Sequence, residues 1–175
     1  MPVTRLRSVR LGACRRPWRA LWLCGLLAAV AAPARAAPVC GVSATPLVFG
    51  SYDPLSSSAV LVSATVTVSC LTALGPLAAI PYTVSLGPSQ TSGTMLRSMA
   101  GPLGARLQYN LYTSAARSVV WGDGSGGSQT LPGSVTPTSL GVAVVQPYTV
   151  HGSVPALQTV RVGAYGDGIL VTVDY

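Results

Sequence analysis

"AVLVSATVTVSC", Ala59 to Cys70, sets Val60, Val62, Ala64, Val66, Val68 and Cys70 against Leu61, Ser63, Thr65, Thr67 and Ser69. This is period-2 alternation over a dozen residues, rich in the β-branched side chains that favour a pleated backbone, and it predicts a long strand. The same alternation recurs outward from it. "YTVSL" (Tyr82 to Leu86) repeats it, as does "RLQYNLYT", with Leu107, Tyr109 and Leu111 opposed to Gln108, Asn110 and Tyr112. "YTVHGSV" (Tyr148 to Val154) and the last residues, "ILVTVDY" (Ile169 to Tyr175), complete the set. Between these runs lie turn-forming clusters: "YDP", "LGP", "AGPLG", "WGDGSGG", "LPG" and "GDG". No stretch after residue 40 sustains helical i, i+3, i+4, i+7 spacing. Several short strands separated by turns predict an all-β, two-sheet sandwich.

The formal charge of +7 is confined to one end. Arg5, Arg7, Arg10, Arg15, Arg16, Arg19 and Arg35 precede every acid. Later residues balance Arg97, Arg106, Arg117 and Arg161 with Asp53, Asp123, Asp167 and Asp174, and lysine is absent. A basic nucleic-acid surface is therefore not expected. The arginine-rich start leads into "ALWLCGLLAAVAA" (Ala20 to Ala32), then Pro33 and "ARA" (Ala34 to Ala36). An apolar run of about 13 residues suits a signal peptide better than a spanning helix of about 20. Residues 1–36 are read as an export signal cleaved near Ala36, and residues 37–175 as one domain. Its low charge and apolar content argue for a packed module rather than disorder.

Cleavage removes Cys14 and Cys24 and leaves Cys40 and Cys70. In an oxidising compartment such a pair forms a disulfide, here closing a loop of about 30 residues. Two free thiols or half a metal site are the alternatives, but His151 alone cannot complete a closed four-ligand zinc site with them. No cofactor is expected.

Material for catalysis is thin. His151, the sole histidine, alternates with apolar neighbours on a strand. Ser125 lies in "GDGSGG", where Asp123 occupies the position a nucleophile elbow gives to glycine, so that pattern fails. The chain is read as a non-enzyme. In the loop "WGDGSGG", Trp121 beside Asp123 offers a stacking ring and one acid. That makes a candidate surface or sugar-binding loop and a poor calcium site. Its alternative is a partly buried anchor for a flexible hairpin. Arg97, in "MLRSM", is read as a donor to loop carbonyls.

The final strand raises a separate question. Ile169, Val171, Val173 and Tyr175 share a face, and no polar tail follows them. Chain ends fray unless something holds them.

Taken in order, "CGVSATPLVFGSYDP" (Cys40 to Pro54), "VTVSC", "YTVSL", "LRSM" and "LQYNLYTSAAR" (Leu107 to Arg117) resemble the spore coat protein U domain family. "WGDGSGG", "VHGSVPALQ" (Val150 to Gln158) and "GAYGDGILVTVDY" (Gly163 to Tyr175) extend the resemblance across residues 40–175. That family includes subunits of archaic chaperone–usher pili. The resemblance implies an immunoglobulin-like sandwich missing its last strand, so that the terminal strand borders a gap. It implies a periplasmic pilus chaperone that lends a strand, an outer-membrane usher, and a neighbouring pilus or coat subunit that later replaces the chaperone's strand. Ile169, Val171, Val173 and Tyr175 are then expected to form the strand-acceptor face. A donor segment in this family precedes the first cysteine. With cleavage after Ala36, only Ala37, Pro38 and Val39 remain, spanning about 10 Å. The chain is thus expected to accept a strand but not to donate one, as a tip-like or coat subunit, exported through the periplasm to the cell surface or secreted. The alternative is a self-contained secreted sandwich that binds a glycan or surface.

Overall fold

The computed structural model describes residues 37–73 and 77–175. The expected export signal at residues 1–36 lies outside them. Among the described residues there is no α-helix, and no helix is long and apolar enough to cross a membrane. The strands are β1 (Val39–Ala44), β2 (Val60–Leu71), β3 (Ile80–Ser89), β4 (Ser98–Ala100), β5 (Arg106–Gln108), β6 (Asn110–Tyr112), β7 (Leu131–Val135), β8 (Val144–Val154) and β9 (Ile169–Asp174).

A four-stranded sheet has the order β1-β2-β8-β6, a three-stranded sheet the order β7-β3-β9, and β4 pairs with β5 in a small third sheet. All these pairings are antiparallel. The long alternating run is central: β2 pairs with β1 on one edge and, from Val60↔Val154 to Cys70↔Val144, with β8 on the other. Its alternate side chains Val66, Val68 and Cys70 point inward and meet Tyr82, Val84 and Leu86 of β3 in one core. The hydroxyls of Tyr82 and Tyr148 meet at 2.8 Å and join the two sheets through that core. The result is an all-β, immunoglobulin-like sandwich.

Cys40 stands directly opposite Cys70 in the β1–β2 ladder, and the two form a disulfide. The bond ties the start of the first strand to the end of the second.

Two elements differ from the sequence expectation. "LPG", read as a turn, lies inside β7. A proline there is tolerated because β7 is an edge strand, and Pro132 is exposed. Gly133 is required by close packing: a Cβ would meet the Tyr148 hydroxyl and the Tyr82 ring. "RLQYNLYT", read as one strand, splits into β5 and β6 because its first half pairs with β4 and its second with β8. The alternation survives the split, and Leu107, Tyr109 and Leu111 are all buried. On β3, the pairing with β9 shifts between Leu86 and Ser89, where Gly87 and Pro88 form a bulge.

Candidate functional site

Strand β9 pairs with β3 alone, and β1 with β2 alone, so among the described residues each keeps one unpaired edge. The two strands approach each other across the sandwich without a ladder between them. Beside them the sandwich opens into a groove of about 900 Å³. Its floor is the core itself: Val66, Leu86, Leu107, Tyr109, Leu111 and Val150. Core side chains line an opening only where a covering layer is incomplete.

One lip is the segment from Ala44 to Tyr52 that follows β1. Phe49 of this lip packs edge-on against Tyr109, with ring centroids 5.6 Å apart. Tyr52 fixes the lip by donating its hydroxyl to the Pro155 carbonyl at 3.0 Å and accepting from the Gln158 amide at 2.7 Å. The other lip is the stretch Val160 to Asp167 leading into β9. It is held by reciprocal amide–carbonyl bonds between Ala100 and Gly166, and by the Tyr165 hydroxyl donating to the Arg161 carbonyl. Both lips carry uncovered aliphatic side chains: Val48 is 73% exposed and Val162 100%.

The expected acceptor face falls partly at this groove. Ile169, Val171 and Val173 turn toward the core, and Ile169 and Val171 line the opening. Tyr175 lies beyond β9 and is 58% exposed, away from the groove lining.

The glycine loop requires a correction. Trp121 is no surface platform. It is fully buried, its indole N–H donates to the Val84 carbonyl at 3.1 Å, and its ring packs edge-on against Tyr148. An apolar ring beside flexible glycines gains more by filling the core than by facing water. Asp123 is exposed and accepts the Ser125 amide at 2.8 Å. Bonding to Ser125, side chain and amide, holds its carboxyl below the usual range. Asp123 thus closes its own turn, and with Trp121 buried the pair makes no stacking site.

His151 sits on the outer face of β8 opposite Ser63, with its Nδ1 3.4 Å from the Ser63 hydroxyl. Among the described residues no carboxylate hydrogen-bonds to that pair, and no cluster of His, Cys, Asp or Glu could hold a metal.

Arg97, read as a donor to carbonyls, does donate to them, but from within the core, and Asp167 escaped the sequence reading. Arg97 is 0% exposed. Its Nη1 donates to Asn110 Oδ1, and its Nη2 to the carbonyls of Leu86, Gly87 and Trp121, all within 3.0 Å. Burial pushes its pKa below the ordinary guanidinium value, opposed by the carboxylates of Asp123 and Asp167. Asp167 lies on the groove wall. Its Oδ2 accepts the Tyr109 hydroxyl at 2.7 Å and its Oδ1 the Thr91 amide at 3.0 Å. Burial pushes this carboxyl up, but hydrogen bonds from Ser89, Tyr109 and Thr91 outweigh it and hold it below the usual range. Burial and the bond to Asp167 push the Tyr109 phenol well above its ordinary value. The "GDG" setting of Asp167 signals a turn and gives no hint of the tyrosine that folding brings to it.

The chain is 22% identical to, and superposes with a TM-score of 0.52 on, the solved chaperone–tip adhesion subunit pre-assembly complex from the archaic chaperone–usher Csu pili of Acinetobacter baumannii. The match covers 79% of this chain and 40% of that one, so this chain spans about two-fifths of its length. Protein U of Myxococcus xanthus is 31% identical over 141 residues, 77% of this chain and 74% of that protein. The model of the Spore Coat Protein U domain matches residues 26–172. These are structural, non-enzymatic proteins, in keeping with a site built of apolar side chains and strand edges. The family model and the relative together place the chain: it belongs to the Spore Coat Protein U domain family.

Proposed function

We propose that residues 37–175 form an exported structural or adhesive subunit of the cell surface, completed by a strand that another chain inserts into the groove. The observation that carries this reading is the apolar floor of about 900 Å³ beside the unpaired edge of β9. An uncovered edge next to core side chains invites aggregation unless it is filled. An inserted strand supplies ladder hydrogen bonds and buries alternate side chains. A strand as long as β9 runs about 20 Å and turns three side chains inward. At about 1.5–3 kcal/mol each, these contribute roughly 5–9 kcal/mol before ordering costs.

A periplasmic pilus chaperone would supply the strand in transit. At the outer-membrane usher a neighbouring pilus or coat subunit would replace it. The solved structure, a complex of a chaperone with a tip adhesion subunit, supports the chaperone as a partner. If residues 1–36 are removed as a signal peptide, the three residues before Cys40 are too short to fill a neighbour's groove, which favours a tip-like or coat subunit. The family match begins at Leu26, ahead of that cleavage point, so the position of the mature N-terminus decides the matter.

The test is export of the full chain with and without a chaperone from its own gene cluster, followed by N-terminal sequencing. The expected result is degradation or aggregation alone, a one-to-one complex with the chaperone, and a mature chain beginning at Ala37. A high yield of folded monomer without the chaperone overturns strand acceptance. The chain would then be a self-contained secreted binding domain.

A further inference from the structure

Among the residues lining the groove only Arg161 and Asp167 are charged, and they differ in setting. Arg161 is exposed, on the lip. Asp167 is half-buried, two residues before β9, with its carboxylate anchored between Tyr109 on the floor and the Thr91 amide behind the wall. Among the described residues neither oxygen forms an ion pair, and the hydrogen bonds that satisfy Asp167 come from neutral donors. These donors favour the ionised carboxylate and fix its direction.

A strand entering the groove changes this balance. It covers the groove floor, including Tyr109, which the carboxylate binds, and takes the half-buried carboxylate further from solvent. An ionised group that loses water without gaining a counter-charge opposes the binding that buries it. A purely aliphatic strand would therefore bind against its own desolvation of Asp167. A strand with a lysine or arginine at that point would turn the same charge into an attraction, its aliphatic stem lying along the apolar floor.

We propose that Asp167 makes the groove selective for a donor strand that combines alternating aliphatic residues with one basic side chain where it passes the start of β9. This rests on the strand-acceptor reading above and names the chemistry of the strand that reading requires. The Tyr109 and Thr91 contacts are the positioning elements: they hold the carboxylate at the wall.

The experiment uses the full-length exported protein, disulfide intact, isolated as its chaperone complex. Synthetic peptides of alternating valine and threonine are added, and chaperone release is followed. One peptide is neutral. A second set carries a single lysine walked along the outward and inward positions, and a third carries glutamate at the same places. The expected result is that lysine at one position speeds or tightens uptake about fivefold over the neutral peptide, and glutamate weakens it by a similar factor. The difference should shrink as salt rises. In Asp167→Asn the lysine and glutamate peptides should converge on the neutral one. Equal uptake of all three peptides by the wild-type protein overturns the selectivity and leaves strand acceptance standing. No uptake of any peptide overturns strand acceptance itself. The lysine–glutamate comparison within the wild type needs no variant, so a misfolded Asp167→Asn does not rescue the idea.

Discussion

Replacing Arg97 with methionine should remove a large part of the domain's stability. The guanidinium is fully buried and reaches three main-chain carbonyls, those of Leu86, Gly87 and Trp121, besides Asn110 Oδ1. It thereby fastens the bulge of β3 to the Trp121 loop and to β6. Methionine fills similar space but donates nothing. Asn110 Oδ1 keeps the Leu111 amide at 2.9 Å, so the loss falls on the three carbonyls. Leaving each without this donor costs about 1–3 kcal/mol. Relief from burying the charge offsets part of that sum, as it does whenever one partner of a buried ionic contact is removed. The net of such removals is about 3–5 kcal/mol. Against a typical domain stability of about 5–15 kcal/mol this is severe. The assay is urea unfolding of the strand-complemented protein with a tryptophan-free donor peptide. Trp121 is the single tryptophan of residues 37–175 and reports directly on the loop that Arg97 holds. With a slope of about 1.5 kcal/mol per molar urea, the midpoint should fall by about 2 M or more. Arg97→Lys, which keeps the charge but not the planar fork, should lie between. A methionine variant within about 0.5 M of wild type would refute the reasoning. The charge would then cost as much to bury as its contacts return.

Cys40→Ser opens a loop of 30 residues and should cost about 3–4 kcal/mol by the chain-entropy relation, read as a fall in the same urea midpoint; no change would mean the ladder alone fixes β1. Asp167 has a folded pKa below its unfolded one. Its contribution is therefore complete above the unfolded value of about 3.9 and is lost as pH falls through the lower folded value. Asp167→Asn should flatten the stability profile in that acid window, and an unchanged slope would contradict the assignment. Val162→Ser at the fully exposed lip should leave unfolding within about 0.5 kcal/mol yet weaken retention of the chaperone on a column; wild-type retention would separate this lip from the strand-binding surface.

The sheets were legible in the sequence wherever one face is buried and the other wet. Val66, Val68 and Cys70 against Thr65, Thr67 and Ser69 specify both the strand and its inward face, while its pairing with β8 is set only by the folded chain. Strand β7 was hidden because Pro132 and Gly133 are turn residues in most settings, and their fitness for an edge beside Tyr82 and Tyr148 exists only after folding. Trp121 was ambiguous because neighbouring glycines say that a loop is near and nothing about which side of it faces the core. The burial of Arg97 and the partners of Asp167 were the least legible. A lone charge is normally at the surface, and the carbonyls, tyrosine and amide that hold these two come from distant segments. The groove itself is a property of two edges, β1 and β9, far apart in the chain. No local pattern records that the space between them is unfilled.

The placement of the disulfide bears on how the domain carries tension. Cys40 is the second residue of β1 and faces Cys70 near the far end of β2. A pull on any segment upstream of Val39 would meet the β1–β2 ladder at one end, where its hydrogen bonds would otherwise break one at a time like a zipper. The covalent bond stands at that entry point. It hands the load to β2, which is paired on both sides in the larger sheet, so β1 is no longer the first strand to be peeled away. The domain would thus resist peeling from the N-terminal side of its first strand. Reduction of a single bond would convert it into a domain that unravels from its first strand.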